Sequence, residues 1–273
     1  MAKIEVQRVA AFDLRRQPGF NQIAWLCIFV LYAPILVLVL FSFNDNRSVT
    51  LWTEFGLRWY VAAFNNEGIQ RAALISLQVA LVATVVATAV ATLAALATTR
   101  TKPYPGLTAA YALINQPLMV PEIVTAVATL SFFALIKKAT GVTGIGYLML
   151  AHCVFCIPFA YIPIRARLED MDLTLEQAAT DLYASPMRVF RRVTLPLLAP
   201  GIVAGAMLAF VVSLDDVIIT LMVAGPGETT LPIYILGQLR RGLTPEINAV
   251  STVFLAISVV LVTLFFFIEK RRR

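Results

Sequence analysis

The segment LTLEQAATDLYASPMRVFRRVTLP, Leu173–Pro196, is a polar excursion between two apolar runs, about 147–164 and 197–223. It carries Glu176, Asp181, Arg188, Arg191 and Arg192, whereas the only Asp, Glu, Lys or Arg residues in the flanking runs are Asp215 and Asp216. Thr174 with Gln177 three residues on matches a capping box. Leu175, Ala178, Ala179 and Leu182 then recur at i, i+3, i+4 and i+7, one face of a helix. Ser185-Pro186 supplies a second N-cap and a first-turn proline. Pro186, Val189, Phe190 and Val193 form a second apolar stripe with the arginines off it, and Leu195-Pro196 predicts its end at the membrane. Two short amphipathic helices joined by a turn are therefore expected. Amphipathicity alone leaves two readings open. The knob lies in the headgroups with its arginines on lipid phosphate, or it docks on another protein.

Working outward, the 273 residues are 59% hydrophobic and only 14% charged, against roughly 25% charged in soluble domains. The mean hydropathy is +0.81, and the apolar residues are gathered into long runs, as in a membrane protein. A span needs ~20 residues. Six are expected, at about 22–43, 72–97, 107–136, 147–164, 197–223 and 249–268, in one transmembrane domain covering 1–273. Polar stretches occupy 44–71, 165–196 and 224–248, with a short Gly-rich loop at 137–146. The first run is too long for a signal-peptide core and lacks a small-residue cleavage pattern, so it reads as a retained span.

Six spans put both termini on one side. That side carries 15 of the Lys and Arg residues, including Arg15, Arg16, Arg100, Lys102, Arg165, Arg167 and Lys270; the other carries 7, Arg47, Arg58, Arg71, Lys137, Lys138, Arg240 and Arg241. The positive-inside rule then makes the termini and the 165–196 loop cytoplasmic. The net charge of +6 does not point to nucleic acid, because the basic residues sit at the ends of apolar runs rather than on one soluble face.

Ala83, Ala87, Ala91 and Ala95, and again Gly201, Gly205 and Ala209, recur every four residues, which lets helix backbones approach closely. Cys27, Cys153 and Cys156 lie in apolar runs and read as small hydrophobes. The sole histidine, His152, with Cys153 and Cys156, lacks a fourth metal ligand and reads as a hydrogen-bonded helix residue; no metal site is expected. Glu122, after Pro121, and Asp215 and Asp216 are ionisable residues inside spans, hence candidates for a substrate path. Asp215 lies about 7 Å outward of a midpoint near residue 210. The two aspartates are adjacent, about 100° apart on a helix, so both cannot face one path and at least one bonds backbone or a partner helix. There is no G-x-x-x-x-G-K-[ST] phosphate loop and no nucleophile–base constellation, so neither ATP hydrolysis nor other enzyme chemistry is expected in this chain.

Ala178, Ala179, Leu195 and Pro196 fall at the spacing of the EAA loop of ABC importer permeases, E-A-A, three residues, G, nine residues, I, one residue, L-P. The loop resembles that motif, with Gln177 in place of Glu (beside Glu176), Tyr183 in place of the turn Gly and Val193 in place of Ile. Leu57-Arg58-Trp59-Tyr60, Ser76-Leu77, Leu150-Ala151-His152, Ser213-Leu214-Asp215-Asp216, Gly225-Pro226-Gly227, Thr229-Thr230-Leu231-Pro232 and Pro245-Glu246-Ile247-Asn248-Ala249 extend the resemblance to the spermidine/putrescine (PotC/PotI-like) branch.

The resemblance implies an all-α, polytopic MetI-like bundle in a bacterial inner membrane. Its partners are a homologous second permease, two ATPase subunits that use ATP and Mg, a periplasmic substrate-binding protein and the lipid bilayer; no cofactor is bound by this chain. It assigns the ATPase contact to Glu176, Gln177, Ala178, Ala179, Asp181, Tyr183, Arg188, Leu195 and Pro196, and it settles the choice between lipid and protein contact. At Tyr183 two geometries stay open: a Gly-like turn, or an ordinary dihedral with the ring filling part of the ATPase groove. An ABC permease for an amino acid derivative, a phosphonate or iron is the alternative. A secondary transporter would show inverted repeats, and none is visible.

Overall fold

The computed structural model describes residues 19–48, 51–242 and 244–271; the side chains of Phe20, 264–266 and 268–271 lie outside the description. The basic N-terminal segment up to residue 18 and Arg272 and Arg273 are also outside it. The described chain is all-α, with one isolated bridge between Asn44 and Phe55. Six helices are long and apolar enough to cross a membrane.

Helix α1 is Phe20–Phe41, α2 is Arg58–Asn65 and α3 is Glu67–Thr99. Asn66 caps α3 by accepting from the Gly68 and Ile69 N–H groups, and its amide donates to Glu246, 2.9 Å away. That bond ties the start of α3 to the start of the last helix. Helix α4 is Leu107–Met119 and α5 is Glu122–Thr140. The expected third span, 107–136, is therefore two helices. Val120 before Pro121 is extended, ψ 138, as the proline ring forces on its predecessor. The 13 residues of α4 rise only ~20 Å, too short for a span. Helix α5 runs on through Lys137 and Lys138, so the connection to α6, Gly146–Glu169, is shorter than expected.

The expected loop 165–196 is also shorter, because α6 continues to Glu169 and helix resumes at Pro186. Helix α7 is Thr174–Asp181 and α8 is Pro186–Val189. A π-turn, Phe190–Thr194, follows α8 and leads without interruption into α9, Leu195–Asp215. Leu195-Pro196 does not end the helix. The π-turn widens the backbone so that the Leu195 N–H reaches Phe190 O, and Pro196, which has no N–H to give Arg192, is accommodated. The expected fifth span, 197–223, instead breaks at Asp216-Val217, after which α10 is Ile218–Val223. The polar stretch 224–248 contains α11, Leu231–Arg241, and α12 is Pro245–Arg271.

The core is the contact of α3, α6 and α9. Ala83, Ala87, Ala91 and Ala95 are 0% exposed. A Cβ on Gly205 would lie 2.6 Å from Ala160 O, and one on Gly201 2.6 Å from Arg167 Cβ. The small-residue repeats thus set how closely these helices approach. Helix α1 packs on α12, and its apolar span is left uncovered by the rest of the chain.

Candidate functional site

Two regions at opposite ends of α9 hold the residues singled out by the sequence. At one end is the α7–α8 loop. Thr174 is the first helical residue rather than the cap, and no capping box with Gln177 forms. The carboxylate of Asp172 accepts from the Thr174 N–H at 2.9 Å instead; an ionised acceptor outcompetes a hydroxyl. That bond, with a further one from the Thr174 side chain, holds the Asp172 carboxyl below its ordinary range.

Helix α7 is turned inside out. One of its two acids faces the protein: Glu176 Oε1 accepts from the Thr194 hydroxyl at 2.9 Å and lies 3.8 Å from Arg100 Nη2, at the end of α3. Its apolar stripe faces away, with Leu175 51%, Leu182 82% and the turn residue Tyr183 97% exposed. Ala178, Gln177 and Asp181 are exposed as well, and Ala179 is half-buried. Tyr183 has φ 56, and no other non-glycine described residue has a positive φ. The turn therefore keeps a Gly-like geometry, and the ordinary dihedral is excluded. A non-glycine residue in this region costs about 1–2 kcal/mol. Arg188, Arg191 and Arg192 are exposed, while Val189, Phe190 and Val193 are half-buried.

At the other end, the aspartates do not continue one helix. Asp215 closes α9, and Asp216 is extended, φ −63 and ψ 133. Asp216 turns inward, its side chain 1% exposed. It accepts from the Ile219 N–H (3.3 Å), the Thr220 N–H (2.9 Å) and the Thr220 hydroxyl (2.9 Å), and so caps α10. His152 Nε2 is 3.4 Å from the same carboxylate and 3.0 Å from Thr220 Oγ1, and His152 Nδ1 is 2.9 Å from Ser213 Oγ. Thr220 has one hydroxyl proton, already given to Asp216, so its oxygen accepts from Nε2–H. In a neutral ring Nδ1 then accepts from Ser213. His152, Ser213 and Thr220 pin the break to α6, and sequence reading missed the two hydroxyls, which carry no distinguishing pattern.

Glu122, the first residue of α5, lies close to Asp216. Asp215 is apart from this pair. It is exposed and lines a groove of about 490 Å³ whose other walls include Val211, Leu214, Pro232, Leu236 and Leu255. Among the described residues no Lys or Arg lies within ion-pair distance of it. The structure therefore joins two of the three candidate carboxyls and leaves the third open. No group of three metal-ligating side chains occurs among the described residues.

Residues 106–271 match the family described as binding-protein-dependent transport system inner membrane component. The chain is 37% identical over 228 residues to the putrescine transport system permease protein PotI of Escherichia coli K12, covering 82% of this chain and 81% of that one. It is 36% identical over 234 residues to the spermidine/putrescine transport system permease protein PotC of Haemophilus influenzae, covering 86% and 90%. Its fold is shared with a bacterial ABC transporter that imports the polysaccharide alginate (TM-score 0.71, 17% identity, 92% of this chain and 93% of that one). It is also shared with the MetNI methionine ABC transporter (TM-score 0.63, 17% identity, 76% and 99%). The chain belongs to the inner-membrane components of binding-protein-dependent transport systems: it is a multi-pass ABC importer permease, not an enzyme.

Proposed function

We propose that this permease forms half of a path for polyamines such as putrescine and spermidine. Asp215 carries the reading: an exposed carboxylate in an apolar groove, with no basic partner among the described residues. In such a setting a carboxylate attracts an ammonium group and replaces part of its water. The names of the relatives at 35–37% identity support the same substrate class. Glu122 lies beside Asp216 at the break, and Asp216 acts by holding the break in place.

The path is completed by a second, homologous permease. Substrate arrives on a periplasmic binding protein that meets the segments around 44–71 and 224–248. Both termini and the α7–α8 loop are cytoplasmic, which the 15-to-7 distribution of basic residues supports. Two ATPase subunits, which bind ATP and Mg, receive the outward apolar stripe of α7 with Tyr183; no cofactor is held by this chain. Leu195 and Pro196, with the π-turn before them, carry the loop's movement into α9, and Arg188 is exposed at its rim.

The test is uptake of labelled putrescine and spermidine by vesicles holding the four-subunit complex, with ATP on the loop side and the binding protein on the other. Asp215→Asn should lower uptake about tenfold, the equivalent of one ammonium–carboxylate contact of ~1.4 kcal/mol. Uptake unchanged by that substitution would remove Asp215 from the path. Uptake of an amino acid derivative or iron, with polyamines ignored, would overturn the substrate class.

A further inference from the structure

The groove at Asp215 has two kinds of wall, and they connect to the loop by different routes. One wall, α9 with the break, is continuous with the loop through the π-turn. The other includes Pro232 and Leu236 of α11, which has no short covalent link to the loop. We infer that Arg100 is a positioning residue that ties the loop to this second wall, with α3 as the rigid rod between them.

At the loop end, Arg100 follows the last turn of α3, its backbone N–H on Leu96 O. Its Nη2 stands 3.8 Å from Glu176 Oε1, and Nε and Nη2 are buried without a hydrogen-bond partner among the described groups. A guanidinium and a carboxylate that bond fully approach to about 2.8 Å. Moving α7 by about an ångström toward α3 closes that gap and satisfies buried donors that are costly to leave unpaired. The relay takes the pair from this spaced arrangement to a closed one. The same turn of α3 is anchored to its neighbours: Thr98 Oγ1 is 2.8 Å from the Tyr161 hydroxyl of α6, and Tyr111 of α4 donates to Thr98 O at 3.0 Å. A force on Arg100 is thus applied to α3 as a body.

Helix α3 has 33 residues, ~50 Å at 1.5 Å per residue, and its alanine face is fully buried against α6 and α9. Near its far end Ser76 Oγ accepts from the Leu231 N–H at 2.7 Å. Leu231 opens α11, so the rod ends on the groove wall. Loop, Arg100, α3, Ser76 and α11 form a contiguous chain of contacts, which becomes a coupling route only if both ends bias the same two-state element.

This inference rests on the permease being driven through the α7–α8 loop, and its test is read without reference to substrate. In the complete complex, with exposed Cys27 replaced by Ser, Leu236→Cys reports on the groove through its rate of reaction with a water-soluble thiol reagent. ATP should change that rate in the parent chain. Arg100→Met, which keeps the apolar stem, should lose most of the change, and Arg100→Lys should keep part of it. Ser76→Ala should reduce the change as well, and Arg100→Met with Ser76→Ala together should be no worse than Arg100→Met alone, as for two links of one chain. Uptake per ATP hydrolysed should fall in step, about 5- to 100-fold for Arg100→Met.

A labelling change equal to that of the parent chain in Arg100→Met, or additive effects of the two substitutions, would overturn the relay. So would a parent groove that does not respond to ATP. If Arg100→Met prevents assembly, the exchanged pair Arg100→Glu with Glu176→Arg decides: restored labelling supports the relay, and an assembled complex without it overturns the relay. A groove that responds to ATP in vesicles that take up no polyamine sinks the substrate reading and leaves the relay standing.

Discussion

The helix that begins at Pro186 meets two interruptions, and they end differently. At Pro196 a residue that cannot donate to the helix is absorbed by a π-turn, and the helix continues. At Asp216 a residue with no backbone handicap breaks it. The difference lies in what each site gains. Beside Pro196 the widened turn keeps Thr194 on Glu176, 2.9 Å away. At Asp216 the broken chain gains a cap on α10 and a buried link to His152. An interruption becomes a break where side chains from other helices can take over the lost backbone bonds.

The largest expected effect comes from removing that compensation. Asp216→Ala leaves the Ile219 and Thr220 N–H groups and the Thr220 hydroxyl without their acceptor, a loss of about 2–4 kcal/mol. Asp216→Asn keeps one oxygen and should lose about half as much. Asp215→Asn, one residue away but exposed, should change stability by less than about 0.5 kcal/mol while lowering polyamine uptake. Thermal unfolding of the purified chain in detergent separates the three. Equal losses at 215 and 216 would mean that the break is not held by the Asp216 network.

What the sequence could show follows from the same physics. The apolar runs are legible because lipid demands length and composition, and the alanine and glycine repeats are legible because close helix contact demands small residues. The single span expected over 107–136 passes over Pro121, although the effect of that proline on Val120 is local. Pro196 reads wrongly as an end, because a π-turn depends on what surrounds it. Asp216 gives no signal of a break in the apolar pattern; its partner across the core, His152, is 64 residues away and becomes visible only when α6 is packed on α9. The loop's apolar periodicity is plain at Leu175 and Leu182, but which way it faces is not, since Glu176 is drawn inward by Arg100, a residue of a distant helix.

Replacing Pro196 sharpens the other half of the comparison. Pro196→Ala restores an N–H for Arg192, and the π-turn should relax to α geometry. The loop then turns about 100° relative to α9 and shifts by about 1.5 Å, which takes Thr194 off Glu176. Stability should change by less than about 1 kcal/mol, because a gained backbone bond offsets a lost side-chain one. Uptake per ATP hydrolysed should fall several-fold, within the usual range of coupling energies. An unchanged ratio would show that the register of loop to span is not set at this proline.

A small effect on stability, and the cleanest on partner choice, is expected at Tyr183. Its φ of 56 costs about 1–2 kcal/mol relative to glycine, and a ring 97% exposed gains almost no contact within the chain in return. Tyr183→Gly removes the strain but gives the unfolded chain more freedom, a loss of roughly 0.5–1 kcal/mol. The two nearly cancel, leaving a gain of no more than about 1 kcal/mol and a melting point higher by at most about 4 °C. If the ring is the part of the loop that the ATPase grips, the same substitution should weaken ATPase binding several-fold, measured by titrating the purified ATPase onto the permease pair. A tighter complex, or one of unchanged affinity, would place the grip on Leu175 and Leu182 instead and leave the strained tyrosine without a role in docking.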